Sequence, residues 1–208
     1  MIKVEQIHHQ VAIGGRVIDA GTRKPIGGVL VSLTEMPPAV KVALTRKSIQ
    51  YGSRWATMLE RPDRAATAPD GLFYFLDLPV GKYTMAASFP GSGKRYGTAS
   101  GTATVSLDVK GNVKMAFVEI VLQPTSVQGK VTGANHKAGV FMAEVRVKGS
   151  GERAFSDAQG LYLLGAVEPG KRTILVFAQG YRAVSKPVTL DGPGALETLN
   201  FALVRETG

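Results

Sequence analysis

The chain has 208 residues, with 44% hydrophobic and 20% charged content, proportions of a folded globular protein rather than a disordered one, and a length that suits two domains of about 100 residues each. A formal net charge of +9 admits an anionic partner, yet the basic residues are dispersed, which makes nucleic acid an unlikely target, and the lack of cysteine excludes disulfides, thiolate metal sites and cysteine nucleophiles. No stretch has the roughly 18 to 20 apolar residues of a membrane span, and Met1 to Gln10 lacks the apolar run of a secretory signal, so a cytoplasmic location is expected.

Val11 to Asp19 alternates apolar with small or polar residues around Gly14-Gly15, the pattern of a strand with a bulge or a close backbone approach. Ala20 to Pro25 supplies turn chemistry and Gly28 to Thr34 resumes a β-branched run, so the two strands read as a hairpin.

Residues 36–66 break this pattern. Six basic residues meet two acidic ones between Pro37 and Ala66, and the only tryptophan, Trp55, lies here. Val40, Leu44 and Lys47 follow one helical stripe, while Ile49, Tyr51, Trp55, Met58 and Leu59 make a second, less regular one that Gly52 interrupts. A short helix or an ordered long loop is expected, which either caps an open end of the fold or binds a partner.

Asp70 to Tyr83 then returns in altered form as Gln159 to Arg172, each with a Gly before an apolar run (Gly71, Gly160) and a Gly-Lys after it (Gly81, Gly170). These pairs are offset by 89 residues, whereas Gly15-Arg16-Val17 and Gly129-Lys130-Val131 are offset by 114, so the first copy carries about 25 extra residues. Further strands match: Tyr83 to Phe89 with Thr173 to Ala178, Val105 to Asp108 with Val188 to Asp191, and Val118 to Leu122 with Leu199 to Leu203. The boundaries are 1–124 and 125–208, joined by the short linker Gln123-Pro124-Thr125-Ser126.

The strand-opening Gly-Arg-Val or Gly-Lys-Val, the Asp-Gly-Leu-Phe-Tyr-Phe or Gln-Gly-Leu-Tyr-Leu-Leu run, and the Pro-Val-Gly-Lys-Tyr or Glu-Pro-Gly-Lys-Arg close make both copies resemble the carboxypeptidase regulatory-like domain. The resemblance implies an all-β chain of two tandem seven-stranded antiparallel β-sandwiches of transthyretin-like type, the first with a 25–30 residue insertion that is partly helical. It implies no peptidase activity, because His-x-x-Glu and His-Glu-x-x-His are absent.

No catalytic, cofactor-binding or metal-binding set emerges. His8 and His9 would point to opposite faces of a strand, which suits two solvent-side residues better than one metal site, and His136 sits in a polar turn. Asp70 and Asp157 read as turn-holding residues rather than calcium ligands. Gly91-Ser92-Gly93-Lys94-Arg95 departs from a phosphate loop at two positions and reads as a basic turn. The expectation is a non-enzymatic structural or adaptor protein with protein partners, in a large assembly or homo-oligomer. A narrower version is a cap, decoration or connector of a phage-tail-like contractile injection particle. The alternative is a module for carbohydrate or another ligand. Tyr51, Arg54, Trp55, Arg61, Arg95 and Tyr96 are the candidate partner-binding residues.

Overall fold

The computed structural model describes residues 9–58, 61–135 and 137–206; His8 and His136 lie outside them. The chain divides into two compact units: residues up to 19, 23–91 and 99–121 form the first, and residues 20–22, 92–98 and those from 122 onward form the second.

The first unit opens with β1 (Val11–Asp19), β2 (Leu30–Glu35), the helices α1 (Pro38–Tyr51) and α2 (Arg54–Thr57), and β3 (Arg64–Ala66). It continues with β4 (Leu72–Leu76), β5 (Gly81–Ser88), β6 (Ala99–Leu107), β7 (Val113–Lys114) and β8 (Ala116–Leu122). The strands form a three-stranded sheet in the order β4-β1-β8 and a five-stranded sheet in the order β3-β2-β5-β6-β7. Alternate residues turn inward, as a half-buried strand requires: Phe73 and Phe75 of β4, Tyr83 and Met85 of β5, and Val118 and Ile120 of β8. A Cβ placed on Gly101 of β6 would stand 2.9 Å from side-chain carbons of both Val118 and Ile120, so the two sheets meet face to face there.

β1 and β2 do not form the expected hairpin, because they lie in different sheets. Each strand buries an apolar row, Ile13 and Val17 on β1 and Val31 and Leu33 on β2, and placing both rows in one core requires the chain to cross between layers. It crosses at Gly27-Gly28, where Gly28 has φ +77° and a Cβ on Gly27 would come within 2.9 Å of Pro69 Cα. The expected bulge falls between Val11 and Ile13, and the close approach falls at Gly15, where a Cβ would lie 2.3 Å from the Phe73 ring.

The second unit contains β9 (Ser126–Gly133), β10 (Glu144–Val147), β11 (Arg153–Phe155), β12 (Leu161–Leu164), β13 (Gly170–Phe177), β14 (Val184–Leu190), β15 (Leu196–Thr198) and β16 (Phe201–Leu203). One sheet runs β11-β10-β13-β14 and the other β12-β9-β15, with β16 also on β9. Val131, Val145, Tyr162, Ile174, Val176 and Phe201 share one core cluster drawn from both sheets. β15 and β16 are the two halves of one closing strand, and both pair parallel to β9 while β9–β12, β10–β11, β10–β13 and β13–β14 are antiparallel. At the break Leu199 O packs against Gly129, 2.0 Å from where a Cβ would be, and Asn200 Oδ1 accepts the Lys130 N–H at 2.8 Å in place of a backbone carbonyl.

The two repeats keep the same small devices. Gly71 and Gly160 take φ +76° and +78°. Asp70 and Asp157 accept the N–H of the residue two positions on, at 3.0 and 2.9 Å. Buried Thr67 and Ser156 each clasp the crossing segment: Thr67 Oγ1 donates to Ile26 O and accepts from Val29 N–H, and Ser156 Oγ donates to Val140 O and accepts from Ala143 N–H. The linker is interior rather than loose, with Thr125 and Ser126 fully buried.

Candidate functional site

The insertion of the first unit folds as two helices. Pro37-Pro38 starts α1, with a proline at the first helical position, and Gly52 stops it with a positive φ of +55° and ψ of −133°, its N–H returned to Ser48 O at 2.9 Å. Ala39, Lys41, Ala43, Leu44, Arg46 and Lys47 are good helix formers, which favours the helix locally. None of its residues is buried, and the half-buried positions Val40, Leu44 and Ser48 recur every fourth residue along one side.

That side faces a groove of about 800 Å³. Its walls are Val40, Ala43, Leu44 and Lys47 of α1, Arg61-Pro62 and β3, and Tyr74 to Pro79, with His9 at one end. β3 and β4 are the edge strands of the two sheets, so the groove runs along the open side of the sandwich with α1 as its roof. The lining is mostly apolar, the character of a recognition pocket.

Three of the candidate residues come together in the insertion, and of these only Arg61 lines the groove. The Tyr51 and Trp55 rings stack with centroids 6.1 Å apart and planes 22° apart, and the Arg61 guanidinium lies 4.2 Å over the indole. Arg61 Nε and Nη2 donate to Asp63 Oδ1 and Oδ2 at 2.8 and 2.5 Å, and Nη1 donates to Trp55 O at 3.2 Å. With the two side chains 8% and 13% exposed, this bidentate pair pins the end of the insertion to the start of β3. One face of the indole is occupied by the chain's own cation, Arg61. Arg54 begins α2 and is exposed.

At the other end, His9 Nδ1 pairs with Asp77 Oδ2, and Gln10 N–H donates to Asp77 Oδ1 at 2.9 Å. The hydrogen bond from His9, then that from Gln10, holds the Asp77 carboxyl below its ordinary value.

Arg95 and Tyr96 belong to the second unit. Arg95 bridges two carboxylates, Nη2 to Glu152 Oε1 at 3.0 Å and Nε to Glu168 Oε1 at 3.1 Å, and its carbonyl accepts the Thr125 N–H at 2.8 Å. Burial pushes the Glu152 carboxyl up, but the Ser150 hydroxyl and the charges of Arg95 and Arg172 outweigh it, leaving the group below its usual range. Tyr96 makes a bridge with Pro124. These two residues hold the second unit's own segments and do not join the insertion's aromatic group in one unit.

Groove residues that the sequence reading did not single out include Tyr74, Leu76 and Asp77, while His9, expected at the solvent side, is 59% exposed and pairs with Asp77. Their signal lay in β4, where inward Phe73 and Phe75 alternate with Tyr74 and Leu76, which are apolar yet about half exposed. Among the described residues no three of His, Asp or Glu gather as a metal site, and no helix is long and apolar enough to cross a membrane.

A model of the carboxypeptidase regulatory-like domain matches residues 126–204, within the second unit, as the glycine and aromatic pattern implied. A comparison with curated proteins gave no match. Among solved structures, the shaft pilin SpaA from Lactobacillus rhamnosus GG is similar at 12% identity and TM-score 0.41, covering 94% of this chain and 98% of that one. A streptococcal ancillary pilin is similar at 13% identity and TM-score 0.38, covering 94% and 62%. A type II cohesin–X-dockerin complex from Acetivibrio cellulolyticus is similar at 17% identity and TM-score 0.30, covering 37% and 52%. At these values the likenesses lend this chain no function.

Proposed function

We propose that this chain is a non-catalytic adaptor built from two regulatory-like sandwiches, and that it binds a protein partner in the groove between α1 and the edge strands β3 and β4. The observation that carries this reading is the groove itself: about 800 Å³, mostly apolar, and roofed by a helix that buries no residue and so is not needed to fill the core. The second copy lacks this insertion, which supports placing recognition in the first. Of the stacked group Tyr51, Trp55 and Arg61, Arg61 lines the groove, and the other two act through it by holding its guanidinium in place. The test is capture of the native partner by the full chain and by Ala43→Arg, which puts a long cation into the groove from an exposed helix position. Loss of the partner with unchanged thermal unfolding is expected; equal capture by both chains contradicts the reading. Within the same class, an accessory role in a contractile injection particle rests on the doubled module alone, and co-purification with sheath or tube proteins tests it.

A further inference from the structure

The groove is bordered by strand edges as well as by apolar side chains, and this points to the form of its occupant. β4 pairs with β1 on one side only. Val17 N–H donates to Gly71 O and Asp77 N–H donates to Gln10 O, both at 2.9 Å, which places the bonded positions at Gly71, Phe73, Phe75 and Asp77. The N–H and C=O of Tyr74 and Leu76 therefore point away from β1, toward the open edge along the groove. An unpaired edge of this kind is a template for another strand.

The charges around it are one-sided. Asp77, the one carboxylate among the described lining residues, is held by His9, and Arg61 is held by Asp63. Lys47 and Arg64 also line the groove, and among the described residues no carboxylate pairs with either. An incoming segment thus meets two cations with no carboxylate partner among the described residues, Lys47 and Arg64, the latter donating to Ala56 O at 3.4 Å, together with an apolar helix side at Val40 and Leu44 and a row of backbone donors and acceptors.

We infer that the occupant is an extended polypeptide segment of alternating apolar and acidic residues, which adds to β4 as an outer strand. Alternate side chains of a strand point to opposite faces, so its apolar side chains face Val40 and Leu44 of α1 and its carboxylates face away from that helix, toward Arg64 of β3, while Lys47 attracts the acidic segment through its charge rather than by direct contact. This deepens the groove reading and rests on it. Backbone hydrogen bonds supply affinity and the alternate side chains supply selectivity, as in other strand-addition complexes.

The probe is a synthetic peptide of about eight residues alternating valine and glutamate, titrated against the full chain with amide exchange read at Tyr74 and Leu76. Binding with slowed exchange at those two amides is expected, together with at least about tenfold weaker binding when alternate peptide nitrogens are methylated or glutamate is replaced by lysine. On the protein, Leu76→Pro removes one outward N–H without touching the β1 ladder, and Lys47→Glu reverses a groove charge from an exposed helix position; each is expected to weaken the peptide by a similar factor. No binding, or binding indifferent to N-methylation, overturns strand addition. If the native partner is still lost on Ala43→Arg while the peptide fails, the groove reading stands and this inference falls.

Discussion

Gly15 and Gly129 occupy the same place in the two repeats, and at each the neighbouring strand passes where a side chain would start. A Cβ on Gly15 would lie 2.7 Å from Val118 O, and one on Gly129 would lie 2.0 Å from Leu199 O. Backbone atoms cannot swing aside as a side chain end can. Gly15→Ala and Gly129→Ala are each expected to cost about 2 kcal/mol or more in denaturant unfolding, whereas Gly151→Ala, with nothing within 4 Å, should stay within about 0.5 kcal/mol. Asp77 makes a different prediction at this scale. Its folded value is lowered, so its hold on His9 and Gln10 is complete above the ordinary aspartate value near about 4 and is lost as pH falls through the lowered value. The Gln10 amide resonance should titrate in that acidic window and become flat in Asp77→Asn. Glu152 follows the same sign in the second unit, and Arg95→Ala, which leaves Glu152 and Glu168 without their shared guanidinium, should move loss of that unit's structure to higher pH.

α1 is legible as a helix from Val40, Leu44 and Lys47 and from the Pro37-Pro38 start and Gly52 stop, because those signals are local in sequence. The placement of β1 and β2 in separate sheets is not legible, because two alternating runs joined by a turn look alike whether they pair with each other or face each other across a core. Nor is the role of Arg95, whose two carboxylate partners, Glu152 and Glu168, lie far along the chain in the second repeat. The groove falls between these cases. Its helix wall was visible in a stripe, but Tyr74 and Leu76 lay within a stretch that reads as framework, and only the sheet order turns that strand into an edge. Since α1 buries no residue, replacing residues 37–60 by a short turn should remove the helical circular dichroism and the groove while both sandwiches still unfold cooperatively. Collapse of the first unit on that deletion would mean the helix is part of its core.

Across the whole molecule, one sandwich design is used twice, and the copy with the insertion has a groove beside its sheet edges. Shared glycines, turn aspartates and buried hydroxyls account for the common framework, and the residues between Glu35 and Arg64 account for the difference. The claim that recognition resides in that difference is tested most directly by site-specific photo-crosslinking in native lysate, with a photoreactive residue at Ala43 in one chain and at exposed Phe141 of the second unit in another. A discrete protein adduct from position 43 and none from position 141 is the predicted result; an adduct from position 141 and none from position 43 would contradict it.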